Sequence, residues 1–123
     1  MAGNISRILI VDDDAFIRDV LAMVLESENF SVDCAENGKE ALEKFTQNSE
    51  FDLVISDLNM PVMGGLELMK RIRAGKPGTS FIFLSGSEVA FEAIDAEAAE
   101  CLAKDENIQE SIIAAVQRVA AKC

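Results

Sequence analysis

Apolar and polar positions along the 123 residues follow two alternating rhythms. Short unbroken apolar runs, Ile8-Leu9-Ile10-Val11, Leu53-Val54-Ile55 and Phe81-Ile82-Phe83-Leu84, have the length and the β-branched or aromatic content of strands buried on both faces. Between them, apolar residues recur at helical spacing. Phe16, Val20 and Val24, with Ile17, Leu21 and Leu25 beside them, predict one helix; Ala41, Leu42 and Phe45 predict a short second one. Leu66, Leu68, Met69 and Ile72 predict a third, and Ile108, Ile112, Val116 and Val119 stripe a closing helix. Phe30, Val32 and Cys34 alternate with Ser31, Asp33 and Ala35 as a further strand, followed by a turn at Asn37-Gly38. The stretch from Glu88 to Ala99 is alanine-rich and helical in preference, and Cys101-Leu102-Ala103 reads as a short last strand.

Five strand-helix pairs result. Parallel neighbours need crossover connections, so alternating apolar strands and helices imply a parallel sheet covered on both faces. The length suits a flavodoxin-like doubly wound (βα)5 sandwich, with five parallel strands in the order 2-1-3-4-5, better than a closed eight-fold barrel. In that architecture ligands meet the carboxyl ends of the strands, where the first and third lie side by side.

Composition narrows the chemistry. The length leads us to expect a single domain spanning 1–123 with no separate output domain, whose effect would travel through its own surface. Twenty-two Asp and Glu against eleven Lys and Arg give a net charge of -11, which argues against nucleic-acid phosphates or anionic membrane as partners. With no His in the chain, His triads, His metal sites and imidazole acid-base chemistry are absent. The three cysteines, Cys34, Cys101 and Cys123, form no CxxC pair, which points to a reduced, cytoplasmic setting. No apolar run approaches the ~18 residues of a membrane span, and the first run stops at three aspartates, unlike a signal peptide.

Those aspartates are the main clue. The first strand ends in Asp12-Asp13-Asp14 and the third in Ser56-Asp57, so the topology gathers carboxylates from remote positions at one sheet edge. Asp is depleted in strands, and clustered carboxylates repel one another unless a cation joins them. Asp12, Asp13 and Asp57 together fit a hard divalent ion, best Mg²⁺. Asp14, directly before Ala15-Phe16-Ile17, reads instead as a helix N-cap.

The stretches Ile-Leu-Ile-Val-Asp12-Asp13-Asp, Phe-Asp-Leu-Val-Ile-Ser-Asp57-Leu-Asn59-Met-Pro61-Val-Met-Gly-Gly65, Phe-Leu-Ser85-Gly86 and Lys104 resemble a response-regulator receiver domain, similar to the stand-alone chemotaxis regulators of that family. The resemblance implies that Asp57 is the phosphoacceptor, that Asp12 and Asp13 hold Mg²⁺ with a further ligand from the Asn59 carbonyl, and that Ser85 is the switch hydroxyl. It also implies that Lys104 binds the phosphoryl group. The implied donor is a histidine kinase or a histidine phosphotransfer protein. The implied readout is a downstream protein partner of a monomer or weak dimer, by self-phosphorylation rather than enzymatic turnover.

Two departures stand out. The family places a proline after this lysine, joined by a cis bond, and an aromatic residue three positions before it; here they are Asp105 and Cys101. A cis bond before a non-proline residue costs about 3–4 kcal/mol, so a trans bond and a rebuilt loop are expected. Both departures leave open a pseudo-receiver that binds partners without phosphorylation. A flavin carrier fits poorly, since three aspartates stand where its phosphate loop belongs and Trp and Tyr are absent. A phosphohydrolase would need a further acid or base. Residues 86–110 hold Glu88, Glu92, Asp95, Glu97, Glu100, Asp105, Glu106 and Glu110 against Lys104 alone, a solvated face or a docking surface for a basic partner. Residues 66–80 lean the other way, with Lys70, Arg71, Arg73 and Lys76 against Glu67.

Overall fold

A computed structural model describes residues 5–47, 50–58, 60, 62–86 and 100–122. Five strands, β1 (Arg7–Val11), β2 (Ser31–Ala35), β3 (Leu53–Asp57), β4 (Ser80–Ser85) and β5 (Glu100–Ala103), form one sheet in the order β2-β1-β3-β4-β5. Every neighbouring pair is parallel. The helices are α1 (Ala15–Ser27), α2 (Gly38–Gln47), α3 (Gly65–Gly75) and α4 (Ile108–Lys122). The expected helix over 88–99 lies outside the described residues.

The apolar runs divide their side chains between two cores, as two-sided burial requires. Ile8, Ile10, Leu53, Ile55, Ile82 and Leu84 face α1 and α4, where Leu21, Leu25, Ile112 and Val116 meet them. Leu9, Val11, Val54, Phe81 and Phe83 face α2 and α3, against Ala41, Phe45, Leu68 and Ile72. The row Ile17, Leu21 and Leu25 is therefore the inward face of α1. Phe16 departs from the expected stripe: it is 72% exposed, in the first turn of α1.

Local chemistry fixes the helix starts. Asp14 caps α1 as expected, its carboxylate accepting from the backbone N–H of Phe16 at 2.9 Å and of Ile17 at 3.4 Å. Asn37-Gly38 is a helix start rather than a free turn: Asn37 Oδ1 accepts from Glu40 N at 2.8 Å, and Glu40 Oε1 accepts from Glu36 N at 3.3 Å. Gly65 opens α3 where a Cβ would stand 2.5 Å from the Asp57 carbonyl oxygen, so only glycine lets the helix lie against the end of β3.

Candidate functional site

Strand register builds the site. Val11 pairs with Ser56, so Asp12 and Asp57, the next residue along each strand, emerge side by side. Asp57 pairs with Leu84 and Ser85 with Ala103, bringing Ser85 and Lys104 to the same edge. Asp12 and Ser85 are fully buried and Asp57 nearly so, whereas Asp13 is exposed.

The Lys104 ammonium bridges two carboxylates, 2.8 Å from Asp57 Oδ2 and 2.6 Å from Asp12 Oδ2. The first contact is a hydrogen bond. The second is ionic without an aligned donor, and the enclosed Asp12 Oδ2 has no hydrogen bond among the described residues. Asp12 Oδ1 accepts the backbone N–H of Asp14 at 2.9 Å. Burial raises the Asp12 pKa, partly opposed by contact with Lys104 and the Asp14 N–H. Burial alone would lower the Lys104 pKa; Asp12 and Asp57 outweigh it and raise the pKa above its ordinary value.

Lys104 reaches this position without the family's proline. Its backbone N–H donates to the Ser85 carbonyl at 2.9 Å, continuing the β4–β5 ladder by one step. No peptide bond is cis among the described residues. The loop is rebuilt as a turn: Asp105 N donates to the Ala103 carbonyl, and Asp105 Oδ1 accepts from Asn107 N at 2.9 Å on the way into α4.

Asp12, Asp13 and Asp57 each present a carboxylate oxygen within 4.8 Å of the others. Hard, oxygen-only donors, with the buried Asp12 Oδ2 lacking a hydrogen bond, suit Mg²⁺ better than a softer transition metal. Asn59, expected to add a carbonyl, lies outside the described residues, as does Pro61.

Of the acidic residues in 86–110, Glu88, Glu92, Asp95 and Glu97 also lie outside them. Glu100 is engaged by Arg118 at 3.0 and 3.3 Å, and Asp105 shapes its loop; Glu106 and Glu110 are exposed. Cys101 is half-buried against the α2–α3 core. Arg18 escaped the sequence reading, yet its Nη1 donates to the Asp12 carbonyl at 2.6 Å.

The chain is 45% identical over 82 residues to the transcriptional regulatory protein ResD of Bacillus subtilis, covering 67% of this chain and 33% of ResD. The chain thus spans about a third of the length of the curated relatives it matches. Among solved structures, the chemotaxis protein CheY4 of Vibrio cholerae superposes with a TM-score of 0.83 at 33% identity, covering 94% of this chain and 98% of that one. The response regulator TrrA of Thermotoga maritima, solved in complex with Mg²⁺ and BeF, gives 0.77 at 35% identity, covering 89% and 98%. Among the described residues, no helix is long and apolar enough to cross a membrane. Residues 8–117 match the model of the response regulator receiver domain, from the first strand into the last helix, and the chain belongs to that family.

Proposed function

We propose that this receiver domain is a phosphoacceptor of two-component signalling, taking a phosphoryl group from a histidine kinase or histidine phosphotransfer protein onto Asp57. The observation that carries this reading is the Asp57 carboxylate at the sheet edge, 2.8 Å from Lys104 and within the cluster formed with Asp12 and Asp13. An Asp57 Oδ–phosphorus bond forms as the phosphorus–nitrogen bond of the donor breaks, and the electron pair leaves with the imidazole. A carboxylate nucleophile needs no general base, which suits a chain without histidine.

The main obstacle is charge, since an anionic nucleophile approaches an anionic phosphoryl group. Lys104 supplies a fixed ammonium for the phosphoryl oxygens, and the Ser85 hydroxyl, at the end of β4, donates to another. Asp12, Asp13, Asp57 and the Asn59 carbonyl would hold Mg²⁺, which supplies further neutralisation when bound. Phosphorylated Asp57, carrying more charge than the carboxylate, draws Ser85 and Lys104 inward and favours one arrangement of the loops around the site. A downstream protein partner in the cytoplasm reads that arrangement, with exposed Glu106 and Glu110 available to a basic surface.

Incubation with Mg²⁺ and acetyl phosphate, followed by intact mass measurement, tests the reading. A phosphate-sized gain is expected in the wild type and none in Asp57→Asn. No gain in the wild type moves the assignment to a pseudo-receiver that binds its partners without phosphorylation.

A further inference from the structure

Arg18 is the fourth residue of α1, a place where a cation faces the positive end of the helix dipole and is disfavoured. Its side chain turns back across the helix start and donates from Nη1 to the Asp12 carbonyl oxygen at 2.6 Å in a partly buried setting. That carbonyl belongs to the peptide unit joining Asp12 to Asp13, so a donor fixed on it sets the plane from which Asp13 departs.

The two aspartates differ in how they are otherwise held. Asp12 is braced three ways: its N–H donates to the Ala35 carbonyl at 3.1 Å, its Oδ1 accepts from Asp14 N, and its Oδ2 faces Lys104. Asp13 is exposed, and its carboxylate has no hydrogen bond or ion pair among the described residues. Its direction therefore depends on its backbone, held on its C-terminal side by Asp12 Oδ1 at the Asp14 N–H and on its N-terminal side by Arg18 at the Asp12 carbonyl.

We propose that Arg18 is a positioning residue for the acidic site: by holding the Asp12–Asp13 peptide it aims the Asp13 carboxylate at the space shared with Asp12 and Asp57, and so sets the affinity of that site for a divalent cation. This rests on the reading of Asp12, Asp13 and Asp57 as a Mg²⁺ site. It carries a consequence of distinctive sign. As a mere cation near a cation site, Arg18 would oppose metal binding, and removing its charge would tighten Mg²⁺. As a positioning residue, its removal loosens Mg²⁺ in spite of the charge relief.

The experiment is calorimetric titration of Mg²⁺ into the wild type, Arg18→Met and Arg18→Gln. Partners that orient ligands are worth roughly 10- to 100-fold in metal affinity. Arg18→Met is expected to bind Mg²⁺ about tenfold more weakly, toward the low end because Arg18 acts through a peptide unit. Arg18→Gln, which keeps a donor but not the charge, recovers part of that loss. Thermal unfolding of each variant in EDTA separates weakened binding from a damaged fold, since a fold defect lowers the melting temperature before any metal is added. Unchanged or tighter binding by a folded Arg18→Met, or a Gln variant no better than Met, overturns the assignment. Absence of Mg²⁺ binding by the wild type overturns the metal-site reading and this inference with it.

Discussion

Removing the Lys104 ammonium tests the electrostatics of the site most directly. In Lys104→Met the side-chain bulk remains while the charge between Asp12 and Asp57 disappears. At about 2.7 Å and an effective dielectric near 20, each ion pair has a Coulomb term of roughly 6 kcal/mol, most of it offset by the desolvation of the charges. The measurable quantity is the cost of leaving both carboxylates without their counter-charge. Breaking a buried pair costs about 3–5 kcal/mol. Lys104 is 19% exposed, so water can partly replace it, and the lower end, about 3 kcal/mol, is expected in metal-free buffer. With a urea slope of about 1.5 kcal/mol/M, the midpoint falls by roughly 2 M. The chain has neither Trp nor Tyr, so the unfolding is followed by far-ultraviolet circular dichroism rather than fluorescence. The pH dependence has a definite sign. Burial already raises the Asp12 pKa above its ordinary 3.8, and losing Lys104 removes a contact that lowers it. A carboxyl with a raised folded pKa favours folding below 3.8 and loses that contribution as pH rises through the folded value. The gap between wild type and variant should thus be smallest in acid and widen as pH rises toward neutrality. Added Mg²⁺ should narrow it. A variant as stable as wild type in EDTA at neutral pH, or a gap that widens on acidification, refutes the reasoning.

Two other substitutions probe the loop between β3 and α3. Gly65→Ala places a Cβ 2.5 Å from the Asp57 carbonyl oxygen and 3.1 Å from Phe83 and Ser56 Oγ; the overlap should cost about 2–3 kcal/mol, outweighing any helix-propensity gain, and an unchanged urea midpoint would contradict it. Val62 holds φ 72° with a β-branched, 79% exposed side chain. Val62→Asn should raise the unfolding free energy by about 0.5–1 kcal/mol, since Asn tolerates this conformation, as Asn29 does at φ 71°; a loss of stability would show that Val62 makes a contact worth more than its strain.

The sheet was legible because parallel strands covered on both faces leave unbroken apolar runs, and three of the five strands carry one. The inward face of α1 was harder to read. Two adjacent rows of that helix are apolar, and periodicity alone cannot say that Ile17, Leu21 and Leu25 turn inward while Phe16, beside the N-cap, remains in solvent. Asn37-Gly38 misled for a related reason: the dipeptide that marks a hairpin also makes a cap and first residue of a helix, and the deciding partner is Glu40, three residues on. Lys104 is held by the ladder bond with Ser85, set by β4 and β5 and made by its own backbone N–H rather than by the residue after it. Arg18 did leave a trace in the sequence. A cation in the first turn of a helix, just after three aspartates, works against the dipole and needs a partner to explain it.

Charge balance ties these features to the proposed chemistry. Three carboxylates against the one ammonium that touches them leave two negative charges without a direct partner, the Arg18 guanidinium being engaged by the Asp12 carbonyl; a divalent cation cancels that deficit and a monovalent one halves it. Asp13 is the only one of the three in open contact with water, whereas burial raises the pKa of Asp12. Phosphorylation of Asp57 would deepen the deficit, because a phosphoryl group brings about -1.5 to -2 in place of a single carboxylate charge. Lys104 cannot meet that demand while it is shared with Asp12. The site is thus balanced for a cation before phosphorylation and short of positive charge after it, which gives Lys104 an electrostatic reason to give up Asp12 for the phosphoryl oxygens.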